Sequence, residues 1–563
     1  MSAPPPPSVR KDLLLLGLLC LGLFGFRLGS SYLPFPDESR YAEIPREMVA
    51  TGDWVTPRLD GVNYFEKPPL VYWLVAASQQ TFGYSEWAVR AVPALFALGG
   101  VLLTYAATRR LHDRKAGLAA GLVLATALLY FALARVLLLD MAVSVLMSAA
   151  LFCFILGVRE PAGSRRRWLF YGLYASMALA TLTKGLIGFL VTGAVMFVWL
   201  LVFNQWHRLR PLYLPTGAML FLALAAPWHV LAALRNETWA HRYFVYEHWE
   251  RFTSPAASRA GPWWYFIPVL VAGLFPWTGF LWSALRDALR GGWAARREKA
   301  DTWFFVTWAA FIFLFFSKSH SKLPPYILPV FPPLAVLIGA WLARPDQKDP
   351  RPFRPGLVVF TIISVLLGLG MLAVVLHPGQ IIRDPERALA LRPHAMILAL
   401  IALGGSGLTL WLELRRQTAS ALRAMVITAG LFYAAMIFAV PEIQRRGTVE
   451  LANIVKARVQ AGDQVVHFHE FFHDFAYYGR TVVDVVANRG PSPFGELELE
   501  EDAAARASGR FMDEAEFRRR WAGPGRIWLV AEKESVTALL ADHTFAYYLR
   551  GETRNHYLLS NKP

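Results

Sequence analysis

Residues 36–69 read PDESRYAEIPREMVATGDWVTPRLDGVNYFEKPP, opening on Pro36-Asp37-Glu38-Ser39-Arg40-Tyr41 and closing on Tyr64-Phe65-Glu66-Lys67-Pro68-Pro69. The stretch follows an apolar run, Leu13 to Phe26, and precedes a second, Leu70 to Phe82. Extended by its flanks to residues 12–29, the first run comes close to the length needed to cross about 30 Å of hydrocarbon, whereas the second starts behind two prolines, contains Gln79-Gln80 and has no apolar flank to lengthen it. Which of the two crosses a membrane decides the sidedness of everything that follows.

The chain has 563 residues, 55% of them hydrophobic and 17% charged, with a mean hydropathy of +0.36. That charge content is well under the roughly 25% of a soluble protein, and spanning-length apolar runs recur to about Val440, so the chain reads as a polytopic membrane protein. The net charge of +16 does not point to nucleic acid. The basic residues gather in short loops, at Arg10-Lys11, Arg109 to Lys115, Arg165-Arg166-Arg167, Arg208 and Arg210, Arg286 to Lys299, Arg344 to Arg354, and Arg415 to Arg423. Clusters of this kind set orientation in a membrane and attract anionic lipid headgroups. Cys20 and Cys153 both fall in apolar runs, so no disulfide framework is expected. No small-residue cleavage pattern follows the N-terminal run, which reads as an uncleaved first span.

If every basic cluster is cytoplasmic, the spans between clusters come in pairs. Counting Leu70–Phe82 as a span breaks that parity, so it is placed as a helix in the outer interface. Spans are then expected at 12–29, 89–108, 116–134, 141–158, 168–183, 186–203, 212–234, 264–285, 302–316, 323–343, 355–376, 395–414 and 421–440. The expected fold is an all-α polytopic membrane domain, residues 1–443, of about thirteen transmembrane helices with interfacial helices in the first outer loop. Residues 444–563 follow as a small α/β domain on the outer face. Its strands are expected at Val465–Phe468, Val482–Val486 and Ile527–Ala531, with helix at Glu514–Trp521.

Parity puts the unexplained ionisable residues on the outer face. Asp37 can serve as a general base, hold a substrate ammonium or hydroxyl, or cap the helix that follows; Glu38 reads as structural. Lys67, before Pro68-Pro69, points to headgroup level, where an ammonium binds phosphate as a point charge or anchors by snorkelling. Asp140 stands at the start of a span, a costly place for a carboxylate unless it meets a partner such as Arg135 or faces a cavity. Lys184 sits in a two-residue connection and can equally mark the interface. His320, Lys322 and Tyr326 suit a phosphate or diphosphate. Glu66 and His248 are donors of the type that bind zinc, a weak pair for a metal. His469-Glu470-Phe471-Phe472-His473 has the H-E-x-x-H spacing of zinc proteases, although a packed helix start is the favoured reading.

Six motifs in order now resemble the GT-C glycosyltransferases, and most closely the ArnT-type aminoarabinose transferases of the bacterial inner membrane. They are Asp37-Glu38-x-Arg40-Tyr41, Phe65-Glu66-Lys67-Pro68-Pro69-Leu70, Asp140, Thr183-Lys184-Gly185, Glu247-His248-x-x-Arg251-Phe252, and Lys322-Leu323-Pro324-Pro325-Tyr326-Ile327-Leu328-Pro329. The resemblance implies transfer of 4-amino-4-deoxy-L-arabinose from undecaprenyl phosphate to lipid A phosphate on the periplasmic side, which lowers surface charge and weakens polymyxin and other cationic peptides. It implies a membrane-embedded monomer with no required cofactor, a divalent metal at Glu66 and His248 being the open exception. Inverting, in-line displacement is expected, with Lys67, Arg251 and Tyr326 on the lipid phosphate. Asp37 and Asp140 are the candidate catalytic residues, and Glu38, Arg40, Tyr41, Tyr64, Lys184, His320 and Lys322 bind substrate or support the site. A protein O-mannosyltransferase-like enzyme with a hydroxyl acceptor is the alternative, ahead of a lipid transporter or a metalloprotease at His469–His473.

Overall fold

A computed structural model describes residues 7–250, 261–344, 353–382, 384–444, 447–488, 494, 497, 499 and 502–563; for 7–8 and 246–250 the description is of the backbone alone. The chain divides into two compact units, Met1–Leu28 with Arg90–His229 and Phe244–Ile443, and Gly29–Val89 with Val230–Tyr243 and Gln444–Pro563.

The first unit is helical. Among the described residues eight helices have the length and apolar composition of a span, or nine if Phe266–Gly273 and Thr278–Ala288, bent by 102°, count as one. The remaining expected spans fall on helices that are shorter, broken or charged. Pro7–Cys20 runs into a five-residue π-turn at Leu21–Gly25. Arg114–Thr126 and Leu128–Leu133 are parted at an extended Ala127. Ser164–Lys184 carries Arg165, Arg166 and Arg167 in its first turn, and Ile187–Phe203 is short.

Breaks at membrane depth are tolerated only if the freed backbone groups find partners. Here two breaks supply each other. The Leu128 N–H donates to the Phe275 carbonyl at 3.0 Å, while the Tyr433 hydroxyl donates to the carbonyls of Thr126 and Phe275, each at 2.9 Å. Trp277 Nε1 adds a 2.8 Å bond to Thr126 Oγ1. Elsewhere small residues let helices approach closely, as membrane packing requires. A Cβ on Gly339, in Phe331–Leu342, would come within 2.5 Å of the Ala120 nitrogen of Arg114–Thr126.

In the second unit the first loop and the C-terminal segment share one apolar core. Ile44, Met48, Leu59, Val62 and Tyr64 cluster with Leu451, Phe475, Val485 and Trp528. Helix Asp37–Thr51 leads to a short antiparallel hairpin, β1 (Arg58–Leu59) and β2 (Val62–Asn63), then to helix Leu70–Phe82. Asp60 and Gly61, at φ 54° and 73°, make the hairpin turn, a conformation that an Asp-Gly pair accepts readily. The C-terminal sheet has six strands, β3 (Gln464–Phe468), β4 (Asp484–Val486), β5 (Phe511–Met512), β6 (Ile527–Glu532), β7 (Tyr548–Glu552) and β8 (His556–Ser560). Their order is β5-β4-β3-β6-β8-β7, parallel as far as β6 and antiparallel beyond it.

The three expected strands and the helix Glu514–Trp521 are present. Strand β4 starts at Asp484 rather than Val482, because the Val483 N–H is taken by Asp60 Oδ1 of the first loop at 2.9 Å. Strands β5, β7 and β8 were not expected: β5 is two residues long, and the β7–β8 pair is largely polar and half-exposed on its outer strand.

Buried charge accompanies this core. Arg46 donates to Glu43 through two bonds of 2.5 and 2.6 Å, and Glu47 accepts from the backbone N–H of Asp60 at 2.6 Å and of Gly61 at 2.9 Å. Burial, with the neighbouring Glu43 charge, pushes the Glu47 carboxyl up to about 7, against the lowering pull of those two N–H groups and Arg46.

Two outcomes are expected of stability. Gly339→Leu should force the two helices apart and lower the melting temperature in detergent by several degrees, read by thermal unfolding. Because the folded state raises the Glu47 carboxyl above its unfolded value of about 4.3, its contribution is present at low pH and lost as pH rises through about 7. The wild-type melting temperature should therefore fall over that window, with Glu47→Gln flattening the fall; an unchanged pH profile in Glu47→Gln would refute the assignment.

Candidate functional site

Asp37 is the first residue of its helix, behind Pro36, which makes no side-chain cap bond. Its carboxylate does not cap either, so that reading is corrected: Oδ1 accepts from Arg40 Nη2 at 2.6 Å. The pair is unequal. Asp37 is 44% exposed in its side chain and Arg40 only 5%, so the acid stays partly open to its surroundings while the guanidinium is held in place beside the Tyr41 ring, 5.1 Å from its centroid. A negative charge is also favoured here by the helix N-terminus. Glu38 is buried, as is Tyr64. Burial and the Glu66 charge push the Tyr64 phenol far above its usual range, with Arg40 pulling the other way, so it stays protonated. Tyr41 packs against Tyr72 with ring centroids 6.2 Å apart.

Lys67 is also held. Its Nζ donates to the Glu66 carbonyl at 2.8 Å and lies 4.0 Å from Glu66 Oε2. Pro68 and Pro69 precede the first helical residue, Leu70, and the Pro69 carbonyl accepts from the Trp73 N–H at 2.8 Å. Lys67 thus sits on a stiffened two-proline approach to a helix, with its ammonium steered by the residue before it.

In the first unit, Asp140 is the second residue of helix Leu139–Gly157. The sequence offered Arg135 as its partner, and the structure corrects this. Arg135 instead donates to the carbonyls of Leu23, Phe24 and Phe26, where the first span unwinds. Asp140 Oδ1 accepts from Lys184 Nζ at 2.5 Å, with both side chains largely buried. The same ammonium lies 4.9 Å from the centre of the Tyr326 ring. Lys184 is therefore more than an interface marker: Asp140, Lys184 and Tyr326 form one cluster drawn from three segments. Their separation in sequence, 44 residues between the ion-pair partners, left no local pattern to reveal it. Tyr326 lies in the 3-10 turn Pro324–Val330. Lys322 is buried and donates to the Ser319 carbonyl, while His320 is exposed.

Arg251 lies outside the described residues, as does the His248 side chain. Among the described residues no group of three or more His, Cys, Asp or Glu side chains could hold a metal ion, and a site at Glu66 gains no support from its surroundings. The H-E-x-x-H reading is overturned. Its chemistry needs both imidazoles on one helix face, but His469 has φ 63° and the helix begins only at His473. His473 packs its ring against Phe35 and Phe471 instead.

Residues 35–282 match the family model described as dolichyl-phosphate-mannose-protein mannosyltransferase. A curated relative from Aeromonas salmonicida (strain A449), an undecaprenyl phosphate-alpha-4-amino-4-deoxy-L-arabinose arabinosyl transferase, is 35% identical over 417 residues, 71% of this chain and 72% of the relative. A second, from Sodalis glossinidius, is 34% identical over 63% of each chain. The crystal structure of ArnT from Cupriavidus metallidurans bound to undecaprenyl phosphate superposes with a TM-score of 0.85 at 29% identity, covering 98% of both chains. With this identity over this coverage and the fold shared along almost the whole length, the chain belongs to the undecaprenyl phosphate-4-amino-4-deoxy-L-arabinose arabinosyl transferases, multi-pass membrane glycosyltransferases of GT-C fold that use a lipid-phosphate sugar donor.

Proposed function

We propose that this enzyme transfers 4-amino-4-deoxy-L-arabinose from undecaprenyl phosphate to a lipid A phosphate at the periplasmic face of the bacterial inner membrane, working as a monomer. The observation that carries the reading is the 35% identity to an arabinosyl transferase over most of both chains, joined to the whole-length match with a structure that holds undecaprenyl phosphate. The periplasmic orientation is supported by the parity of the basic clusters. In such a transfer an acceptor phosphate oxygen attacks the anomeric carbon as the bond to the undecaprenyl phosphate oxygen breaks. The configuration inverts, and undecaprenyl phosphate leaves with the bonding electron pair.

An anionic acceptor needs little help from a base, so the catalytic task is to stabilise charge gathering on the leaving phosphate. Lys67, Arg251 and Tyr326 are assigned to it, with Lys322 and His320 as further donors. Lys184, fixed by Asp140, adds a positioned ammonium, which makes Asp140 the orienter of a cation rather than a base. Asp37, with one oxygen tied to Arg40 and its side chain partly exposed, suits the sugar ammonium or the acceptor region. Glu38, Tyr41 and Tyr64 support that helix and loop. The match to the mannosyltransferase model favours a second reading, a hydroxyl acceptor, for which Asp37 becomes the general base.

Mass spectrometry of lipid A from cells with and without the enzyme should show a phosphate-linked pentosamine only in its presence; a glycosylated hydroxyl instead would select the second reading. Lys67→Ala should lower turnover by about 10²-fold, the usual scale for losing one preorganised donor. Asp37→Ala should also fall sharply while inserting normally, and full transfer by either purified variant would reject the site. Asp140→Asn and Lys184→Met should each cost about 2–3 kcal/mol of stability by stranding a charged partner. The double variant should cost less than the sum, in thermal unfolding; strict additivity would show that the pair does not couple.

A further inference from the structure

Between the two ends of the first loop lies a set of buried charges that the transfer reading leaves unused. On one side, Glu47 of helix Asp37–Thr51 closes over the hairpin turn by accepting from the N–H groups of Asp60 and Gly61. On the other, Arg510, just ahead of β5, reaches the same turn. Its Nη2 donates to the Asp60 carbonyl at 2.7 Å and its Nη1 to the Val483 carbonyl at 3.2 Å, with Asp60 Oδ2 at 3.4 Å. Gly61 makes that approach feasible, since a Cβ there would stand 2.9 Å from Arg510 Nη2. A second tie follows at once: Asp502, which caps helix Ala503–Ala507, accepts from the Asn63 N–H at 3.0 Å.

From this turn the path to Lys67 is short and constrained. The Tyr64 N–H donates to the Pro57 carbonyl at 2.8 Å, Tyr64 and Phe65 are buried, and Lys67 stands two residues further on. The apolar core already binds the loop to the C-terminal segment, but apolar contact is non-directional. Two hydrogen bonds from a planar guanidinium to carbonyls of separate segments, with an ion pair to the Asp60 carboxylate beside them, set direction, and a lysine cannot reproduce that fork.

We propose that Arg510 and Glu47 are positioning residues for glycosyl transfer, gripping the Asp60–Gly61 turn from opposite sides and so fixing where Lys67 stands. This rests on the reading of Lys67 as the ligand of the lipid phosphate. The C-terminal segment then acts on the reaction through the loop, without touching substrate.

The test uses the full-length protein in detergent, with undecaprenyl phosphate as the binding probe, alongside melting temperature. Arg510→Lys should keep a melting temperature near that of the wild type yet weaken undecaprenyl phosphate binding by roughly fivefold, a change on the scale of coupled neighbours. On a Lys67→Ala background the same substitution should change binding by less than about twofold, because the residue it acts through is gone. Should Arg510→Lys fail to fold, Glu47→Gln serves the same cycle, placing an amide donor against a backbone N–H. Equal losses with and without Lys67, or no loss in either single variant, would overturn the positioning role. Normal binding by Lys67→Ala alone would instead remove the phosphate reading on which it rests, so the two failures are distinguishable.

Discussion

Charge taken out of water has to be met by opposite charge or by hydrogen bonds, and the placement of this chain's buried acids follows from that cost. Glu43 finds Arg46 one turn away on its own helix, but others draw partners from remote segments. Asp12 of the first helix is held by Arg114 through two bonds of 2.6 and 2.8 Å and by the Tyr105 hydroxyl at 2.8 Å. Asp140 takes Lys184, and Asp60 takes Arg510. Such pairs add little net stability compared with apolar packing of the same volume, but they forbid alternatives, because a helix shifted by one residue would strand a charge. Specific registers in a largely apolar protein are what these pairs supply.

The helices were legible because hydrocarbon thickness imposes a length on the sequence, and every expected span meets a helix. Their continuity was not. The break at Ala127 is made tolerable by Tyr433 and Trp277, and the bend between Phe266–Gly273 and Thr278–Ala288 by Tyr433 and Leu128, in each case residues distant in sequence from the break they serve. No local window contains both the break and its remedy. In the C-terminal segment, strands with continuous apolar runs such as β6 were readable. The two-residue β5, and the outer strand β7 with its polar face, carry too little pattern to separate from loop.

The candidate site divides in the same way. Residues that sit beside prolines or helix starts, Asp37 and Lys67 among them, announce themselves because the local backbone signals are strong. What those residues do is set by partners that no spacing rule predicts, as Arg40 shows by occupying one oxygen of Asp37, and Lys184 by claiming Asp140. The H-E-x-x-H match fails for the converse reason. Spacing presumes a helix, and the chain leaves β3 through a left-handed residue at His469 before the helix can begin.

The same logic gives the C-terminal segment a function that its own sequence did not declare. A loop of this length joining two apolar runs would hold its charged ends loosely if it were anchored only at those ends. The Tyr478 hydroxyl accepts from the Leu33 N–H and donates to Glu86, each at 2.9 Å, so one residue of the C-terminal segment ties down both flanks of the loop. Arg510 and Asp502 tie down its middle. Transfer from a lipid phosphate gains most from donors held in place before charge develops, since reorganisation at that moment would consume the benefit. A folded domain bonded along the loop meets that demand where a bare loop would not, which is a physical reason for a membrane enzyme to carry one.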